Sequence, residues 1–578
     1  MPTGGFVIKD FSGGVRLDLP PRKLAENELA ASPNVWPVEQ DELGLHGTVF
    51  SNKATSNHEI IPEAMLLIPF NDENGAPHVV FFGERRTDAF GAVAPLLVDY
   101  RASFGIANDI VDANTLAANF DSRNRPGYVV WNGKLYLFSG VNRPGYVVRV
   151  NPNGNLASSE LGLTWSASDK PRARCAWLYR GQFMLAGFDA PEESTIRNCA
   201  IHDPETLVSS TLSFYLGRGD GDRIIGGIEI PVKGGAQYIE PYSLVWKRNS
   251  TWMIQGPPPV PGDTKVAVNV MNVLPKEGLI APETVAQTPF GTIWCSGQNV
   301  WMALYGEKPI PIGDAIRPLL EKAPKGHRSG WHAVYYNGVY RLTLPSSRLR
   351  LGAVYPITDT EQWWCDLRQY EEKKTFSWWG PLDIPFAASA VQPGSDGRLL
   401  AAFGSKSEIF DLVGGAFIGE ISATTTGKIP VMEPFAYVGL AAPDFELRTR
   451  EYDGGDPDLP KLFQSVELHA KLGHQPVNEP YRFQVDVYGD GGSRNMKDWP
   501  SSLTPAQFSP EVGLGSFILG TSSPGTGFQA ASFYPPGGAR YHPNTFQVVV
   551  RSPGDDNGIP SLRLRTITPR FRPIGRRP

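Results

Sequence analysis

The chain has 578 residues, 41% of them apolar and 20% charged, a balance that excludes a disordered chain and supplies material for a sizeable core. A net charge of -5 is not the basic balance of a dedicated nucleic-acid binder. No stretch approaches the roughly 20 consecutive apolar residues of a membrane helix, and the start, Met1 to Phe6, lacks the basic and apolar regions of a signal peptide.

With 61 glycines, 52 prolines and 14 tryptophans, the composition predicts short strands joined by tight turns, an all-β fold. Residues 1–60 read as an N-terminal arm, because Gly13-Gly14, Pro20-Pro21, Pro33 and Pro37 interrupt any regular element. One short helix is expected from Leu24 to Ala31, and Val35-Trp36 is expected to anchor the strand that follows. Such an arm needs a surface, and a neighbouring subunit or adaptor is the expected one.

From Met65 onward, apolar strands flank turns rich in Gly and Asn. The pattern predicts hairpins with turns at Gly75, Gly133, Gly181, Asn249, Gly291, Gly338 and Gly397. Successive intervals are 58, 48, 68, 42, 47 and 59 residues, a loose repeat close to the period of about 40 to 50 shown by propeller blades. A small twisted blade buries a face only against a neighbour, so a closed ring is favoured. Residues 61–415 are therefore expected to form a β-propeller of six or seven blades, with a pair of β-sandwiches as the rival. A helix is expected from Asp314 to Lys322, capped by Asp314 and stopped by Pro324.

After residue 415 the repeat fades. Residues 416–578 are expected to form a second antiparallel β domain from FQSVELHAKL, YRFQVDVYGDG, TFQVVVRS and LRLRTITPRF. The segment from Pro500 to Pro543 reads as a long ordered Pro/Gly/Ser-rich loop.

Catalytic and ligand motifs are sparse. There is no Gly-x-Ser-x-Gly turn, and the nine histidines include no His-Glu-x-x-His pair. Cys175, Cys199, Cys295 and Cys365 lack metal spacing and are expected to be buried free thiols. The run Gly217-Arg-Gly-Asp-Gly-Asp lacks the Lys-Ser or Lys-Thr of a phosphate loop and reads as a mobile blade loop. Its Asp220 and Asp222, and Asp453, Asp456 and Asp458, offer oxygen ligands for calcium, against the commoner reading of solvated turn aspartates. Trp363-Trp364 and Trp378-Trp379 could stack on sugars or bases, against a core role. The expectation is no enzyme, no cofactor and no metal.

Several of these pieces resemble a known family. The opening Phe11-Ser-Gly-Gly-Val, Pro20-Pro21, Leu24 to Glu28 and Asn34-Val35-Trp36-Pro37 resembles the N-terminal arm of phage tail virion proteins. Leu244 to Trp252, Gly278 to Thr284, Gly291 to Trp301 and Pro309 to Ile316 are similar to the propeller of tail nozzle proteins of short-tailed bacteriophages, the tail tubular protein B and packaged-DNA stabilisation types. The close, Thr568 to Arg577, is similar as well. The resemblance implies a structural virion protein made in the host cytoplasm. It implies a homohexameric ring below a head-tail adaptor ring that retains packaged double-stranded DNA and conducts it at ejection without tight binding, with tail fibres or spikes as further partners. The alternatives are a carbohydrate-binding or glycan-degrading propeller and a fibre-docking adaptor; the nearest approach to a sialidase turn, Gly394 to Arg398, departs from that pattern.

The candidate interface residues are Phe11, Asn34 and Trp36 in the arm and Arg570, Arg572, Arg576 and Arg577 near the end. In Leu562 to Arg565 alternation sends leucines to one face and arginines to the other, so a basic face can meet carboxylates while the apolar face is buried.

Overall fold

The computed structural model describes residues 4–573 except 40–41, 46–49, 56–59, 87–92, 102–106, 111–124, 141–144, 154, 163–171, 231–240, 305–307, 324–329, 346–359, 384–387, 392–398, 405–415, 422–444, 454–457, 473–483, 490–493, 496–528, 534–543 and 552–561. The fold is mostly β, built largely of four-stranded antiparallel sheets.

Seven small sheets follow one another along the chain. Their first strands are Ile60–Asn71, Gly127–Trp131, Cys175–Tyr179, Ile224–Ile230, Ala286–Gln287, His332–Tyr336 and Ala388–Val391, here sheets 1 to 7. Each predicted hairpin is an antiparallel pair within one of these sheets. The two-residue turns work as the sequence predicts: Asn132-Gly133 has φ of 48° and 69°, and Asn337-Gly338 has 50° and 79°, the paired positive values of a type I′ turn.

Six sheets take their strands from consecutive sequence, and sheet 7 does not. Its fourth strand is Phe50–Thr55, which pairs antiparallel with Ala416–Ile421. The first strand of sheet 7 also lies against that of sheet 1, so the series ends where it began. Sheet 3 carries one extra short strand, Phe214–Tyr215, paired with Thr195–Ala200.

The two chain ends build a base of two further sheets. One orders Gln529–Phe533, Lys461–Leu472, Leu562–Pro573, Glu42–Leu45 and Val35–Glu39, with Gly4–Gly5 also pairing Leu562–Pro573. The other orders Gly14–Val15, Glu28–Ala31, Glu446–Thr449, Phe546–Arg551, Gln484–Gly489 and Arg494–Asn495. All four strands expected after residue 415 are present, and one pair, Gly14–Val15 with Glu28–Ala31, is parallel.

Three sequence expectations are corrected. Residues 1–60 are not a separate arm: their strands belong to both base sheets and to sheet 7, so the sparse apolar side chains are buried by the C-terminal half of the same chain. The expected helix from Leu24 to Ala31 is instead a turn followed by the strand Glu28–Ala31. Ala25 N–H donates to Glu28 Oε2 at 2.7 Å, and pairing on both sides of Glu28–Ala31 outweighs helix propensity. The third correction is the cap. Residues Asp314–Ile316 are a 3-10 turn leading into the helix Arg317–Lys322, and Asp314 makes no cap but accepts from Asn299 Nδ2 at 2.8 Å. The expected stop, Pro324, lies outside the described residues, as does most of Pro500 to Pro543; within the latter, Gln529–Phe533 is a strand on the edge of the base.

The base shares one continuous hydrophobic core with sheets 5 and 6. All four paired tryptophans, Trp363, Trp364, Trp378 and Trp379, are buried in it, because sheet 6 is covered on both faces. Trp378 Nε1 donates to Ile312 O at 2.6 Å on one face, while Trp364 and Trp379 pack against Trp36 on the other. All four cysteines are buried free thiols, and burial pushes the Cys175 thiol up to about 12.

Candidate functional site

The candidate interface residues of the N-terminal segment are consumed inside the chain. Phe11, Asn34 and Trp36 are all buried. Trp36 meets Trp364 edge-on at 4.7 Å and Trp379 at 6.2 Å, and the Arg368 guanidinium lies 5.1 Å from its ring. Arg368 Nη2 also donates to Pro37 O at 3.1 Å, and Asn34 N–H to Pro381 O at 2.8 Å. These contacts fasten the base to sheet 6, so the anchors cannot be the surface offered to a neighbour.

At the other end, Arg570 and Arg572 are exposed on Leu562–Pro573, and Arg565 is exposed on the same strand. Arg570 Nη2 is 2.8 Å from Glu467 Oε2 of the adjacent strand, so its carboxylate partner is intramolecular. Arg576 and Arg577 lie outside the described residues.

The loop read as mobile is held down. Lys247 is wholly buried, and its Nζ reaches Asp220 Oδ2 at 2.6 Å and Ser194 Oγ at 2.8 Å. Asp222 accepts the backbone N–H groups of Arg248 and Asn249 at 3.2 and 3.0 Å. Both aspartates thus serve the strand pair Tyr242–Lys247 and Thr251–Gln255. Asp456 lies outside the described residues, and among the described ones no group of three His, Cys, Asp or Glu side chains is placed to hold a metal ion.

A second buried ionic group sits in sheet 1. His78 Nδ1 is 3.0 Å from Asp99 Oδ2, and its Nε2 is 3.5 Å from Asp72 Oδ2. Asp72 also accepts from Asn74 and Ala76 N–H, closing the first hairpin turn. Burial opposes the charged imidazolium, but the hydrogen bonds and charges of Asp99 and Asp72 prevail and raise the His78 pKa.

One polar cluster has no sequence signature at all. Arg125 precedes the first strand of sheet 2, Glu283 lies in the 3-10 turn Pro282–Thr284 before that of sheet 5, and His332 begins that of sheet 6. Arg125 Nη1 is 3.6 Å from Glu283 Oε2, and its Nη2 is 3.5 Å from Gly330 O. His332 Nδ1 lies 3.5 Å from the same carbonyl, and its buried Nε2 has no hydrogen-bond partner among the described residues. Burial raises the Glu283 carboxyl against the opposing charge of Arg125. Burial and the Arg125 charge hold His332 down to about 3, so its ring is neutral. Tyr128, in the first strand of sheet 2, is 41% accessible.

Two clefts of about 200 and 350 Å³ lie where the base meets sheet 6, the larger edged by Arg16, Glu28, Asp314 and Lys373. Arg16 is committed there to Asp18 and Glu28, at 2.7 and 3.3 Å.

No family model matches the sequence, and no curated protein matches it. Among solved structures, the chain is similar to an exo-β-1,3-galactanase from Phanerochaete chrysosporium, at 10% identity and TM-score 0.23, covering 80% of this chain and 97% of that one. It is similar to a Trypanosoma rangeli sialidase at 9% identity and TM-score 0.28, covering 92% and 96%. A Penicillium chrysogenum α-L-arabinanase aligns at 10% identity and TM-score 0.28, covering 64% and 96%.

Proposed function

We propose that the seven small sheets are the blades of a β-propeller and that the chain is a structural virion protein, six copies of which form the tail nozzle ring of a short-tailed phage. The ring closes the head-tail channel below an adaptor ring, retains packaged DNA and conducts it at ejection. The sequence resemblance to nozzle proteins supports this reading. So does one structural observation, which carries it: both chain ends are woven into the base, and the base shares its core with sheets 5 and 6. Propeller and base thereby act as one stiff block, the mechanical property a channel wall under internal pressure requires.

A single copy does not offer the conduit itself. Arg125, just ahead of sheet 2, meets Glu283 just ahead of sheet 5 and Gly330 ahead of sheet 6, so the starts of these three sheets are tied together. A duplex therefore passes between copies, which is why the reading requires an oligomer. The test is composition of purified particles: six copies of this chain per tail, in a ring around the channel, is the expected result. A chain absent from particles that degrades host polysaccharide in solution would overturn it.

A further inference from the structure

We propose that the larger cleft between the base and sheet 6, about 350 Å³, is a binding site for a neutral, hydroxyl-rich ligand of the saccharide class. The site goes beyond the role in the particle and is tested separately from it.

The cleft is built into the fold. Its volume lies at the lower end of the range of about 300–1,000 Å³ usual for small-ligand pockets. One wall holds Gly13, and the next residue, Gly14, has φ of 65° and stands where a Cβ would lie 2.5 Å from Trp378 O. Glycine is what lets the N-terminal segment close so tightly on sheet 6. Half-buried Phe376 lines this cleft and the smaller one, and it gives the apolar surface on which the C–H groups of a sugar ring rest.

The polar groups of the lining are partly spent, and what is left defines the ligand. Asn27 Nδ2 donates to Ser12 Oγ at 3.0 Å and Trp379 Nε1 to Ser377 Oγ at 3.0 Å, so each hydroxyl keeps its own proton to donate. Ser377 is only 7% accessible, and its O–H has no acceptor among the described residues. Lys373 Nζ donates to Gln369 Oε1 at 3.0 Å, which leaves Gln369 Nε2 unspent; the exposed Thr375 hydroxyl has no partner among the described residues either. Asp314 gives only Oδ1 to Asn299. Spare donors and spare acceptor lone pairs thus line one cleft, and ligand hydroxyls, each both donor and acceptor, satisfy both.

Charge disfavours ionic ligands. Arg16 places Nε and Nη2 on Asp18 and Nη1 on Glu28, and the second Glu28 oxygen takes Ala25 N–H, so these groups are committed. An anion in the cleft meets Glu28 and Asp314, and a cation meets Arg16 and Lys373. A neutral polyol avoids both like-charge contacts.

Saturation-transfer NMR and calorimetry on the full chain test this with neutral oligosaccharides of glucose, galactose, mannose and N-acetylglucosamine. Sulfate, acetate and spermidine serve as charged probes and N-acetylalanine amide as a neutral peptide probe. The expected result is millimolar-range binding of at least one neutral oligosaccharide and of no other probe. Thr375→Val keeps the side-chain shape and removes one exposed hydroxyl, so it should weaken binding about two- to tenfold with an unchanged thermal transition. Ser377→Ala should weaken it as well, whereas Arg565→Gln, outside the cleft, should not. Silence across the neutral panel, preference for a charged or peptide probe, or undiminished binding by either Thr375→Val or Ser377→Ala overturns the proposal.

Discussion

Lys247 and Asp220 form an ion pair with unequal ends: the ammonium is wholly buried, while the carboxylate, 2.6 Å away, keeps 39% of its side chain in contact with solvent. Removing one partner or the other therefore leaves different problems. Asp220→Ala strands a charge that water cannot reach, at a cost of about 3–5 kcal/mol. Lys247→Met strands one that water can hydrate, and the methionine fills much of the same volume, so about 1–2 kcal/mol is expected. Urea unfolding of the two variants measures the asymmetry; equal losses would mean that the pair is not what holds the loop.

The His78 group sets a pH dependence whose sign follows from its raised pKa. Stabilisation from the imidazolium between Asp99 and Asp72 is fully present below the ordinary value of 6.5 and is lost as pH rises through the raised one. The Asp72 carboxyl is lowered from 3.8: burial works against it, but N–H donors and His78 outweigh burial, so its contribution appears above 3.8 and is lost in stronger acid. Stability from this group is thus greatest in mild acid and declines as pH rises past 6.5. His78→Gln should flatten that decline in thermal melts between mild acid and mild alkali, and an unchanged slope would remove His78 as its source.

Trp36 is the contact that most directly joins the N-terminal segment to sheet 6. Trp36→Ala deletes a buried ring packed against Trp364 and Trp379, and about 3–5 kcal/mol is expected. Deletion of residues 6–37 removes strands from both base sheets and should lower the thermal transition of the whole chain. Seven small sheets that melt unchanged without this segment would restore the reading of a detachable arm.

What the sequence made legible and what it hid divide along the range of the interactions. The seven hairpins were legible because a two-residue turn and alternating strands are local features, as in Val129-Val130-Trp131-Asn132-Gly133. The weave of the base was not, since Gly4–Gly5 and Leu562–Pro573 are distant in sequence and neither states its partner. Phe11, Asn34 and Trp36 were visible as anchors, but sequence alone does not say whether an anchor is buried at home or in a neighbour. The Arg125, Glu283 and His332 cluster was invisible, because three stretches far apart in sequence contribute one residue each.

DNA affinity is the property on which the nozzle reading is most exposed in solution. Tight binding rests on many phosphate contacts and steep salt dependence, and a genome that must slide through a ring needs few of them. The net charge of -5 accords with weak contact. Fluorescence anisotropy of labelled duplex at physiological salt should give a Kd weaker than about 1 μM without sequence preference. Tight, sequence-specific binding would refute the conduit.

The exposed arginines of Leu562–Pro573 give the last prediction. Arg565, Arg570 and Arg572 are exposed along one strand, and Arg570 already has an internal partner in Glu467. That pair is solvent-exposed, so its loss should cost the chain no more than about 1 kcal/mol. A contact with a neighbouring copy or adaptor has more to lose, because a guanidinium that engages a carboxylate in bidentate fashion at an interface is partly desolvated. Arg570→Gln with Arg572→Gln should therefore leave the melting of the isolated chain nearly unchanged while weakening ring or adaptor association, and the deficit should grow as salt is lowered from conditions where such contacts are already screened. Association is read by sedimentation across a salt series and by DNA retention in assembled particles. Particles that assemble and hold DNA normally with both substitutions would show that this basic strand faces solvent and docks on nothing.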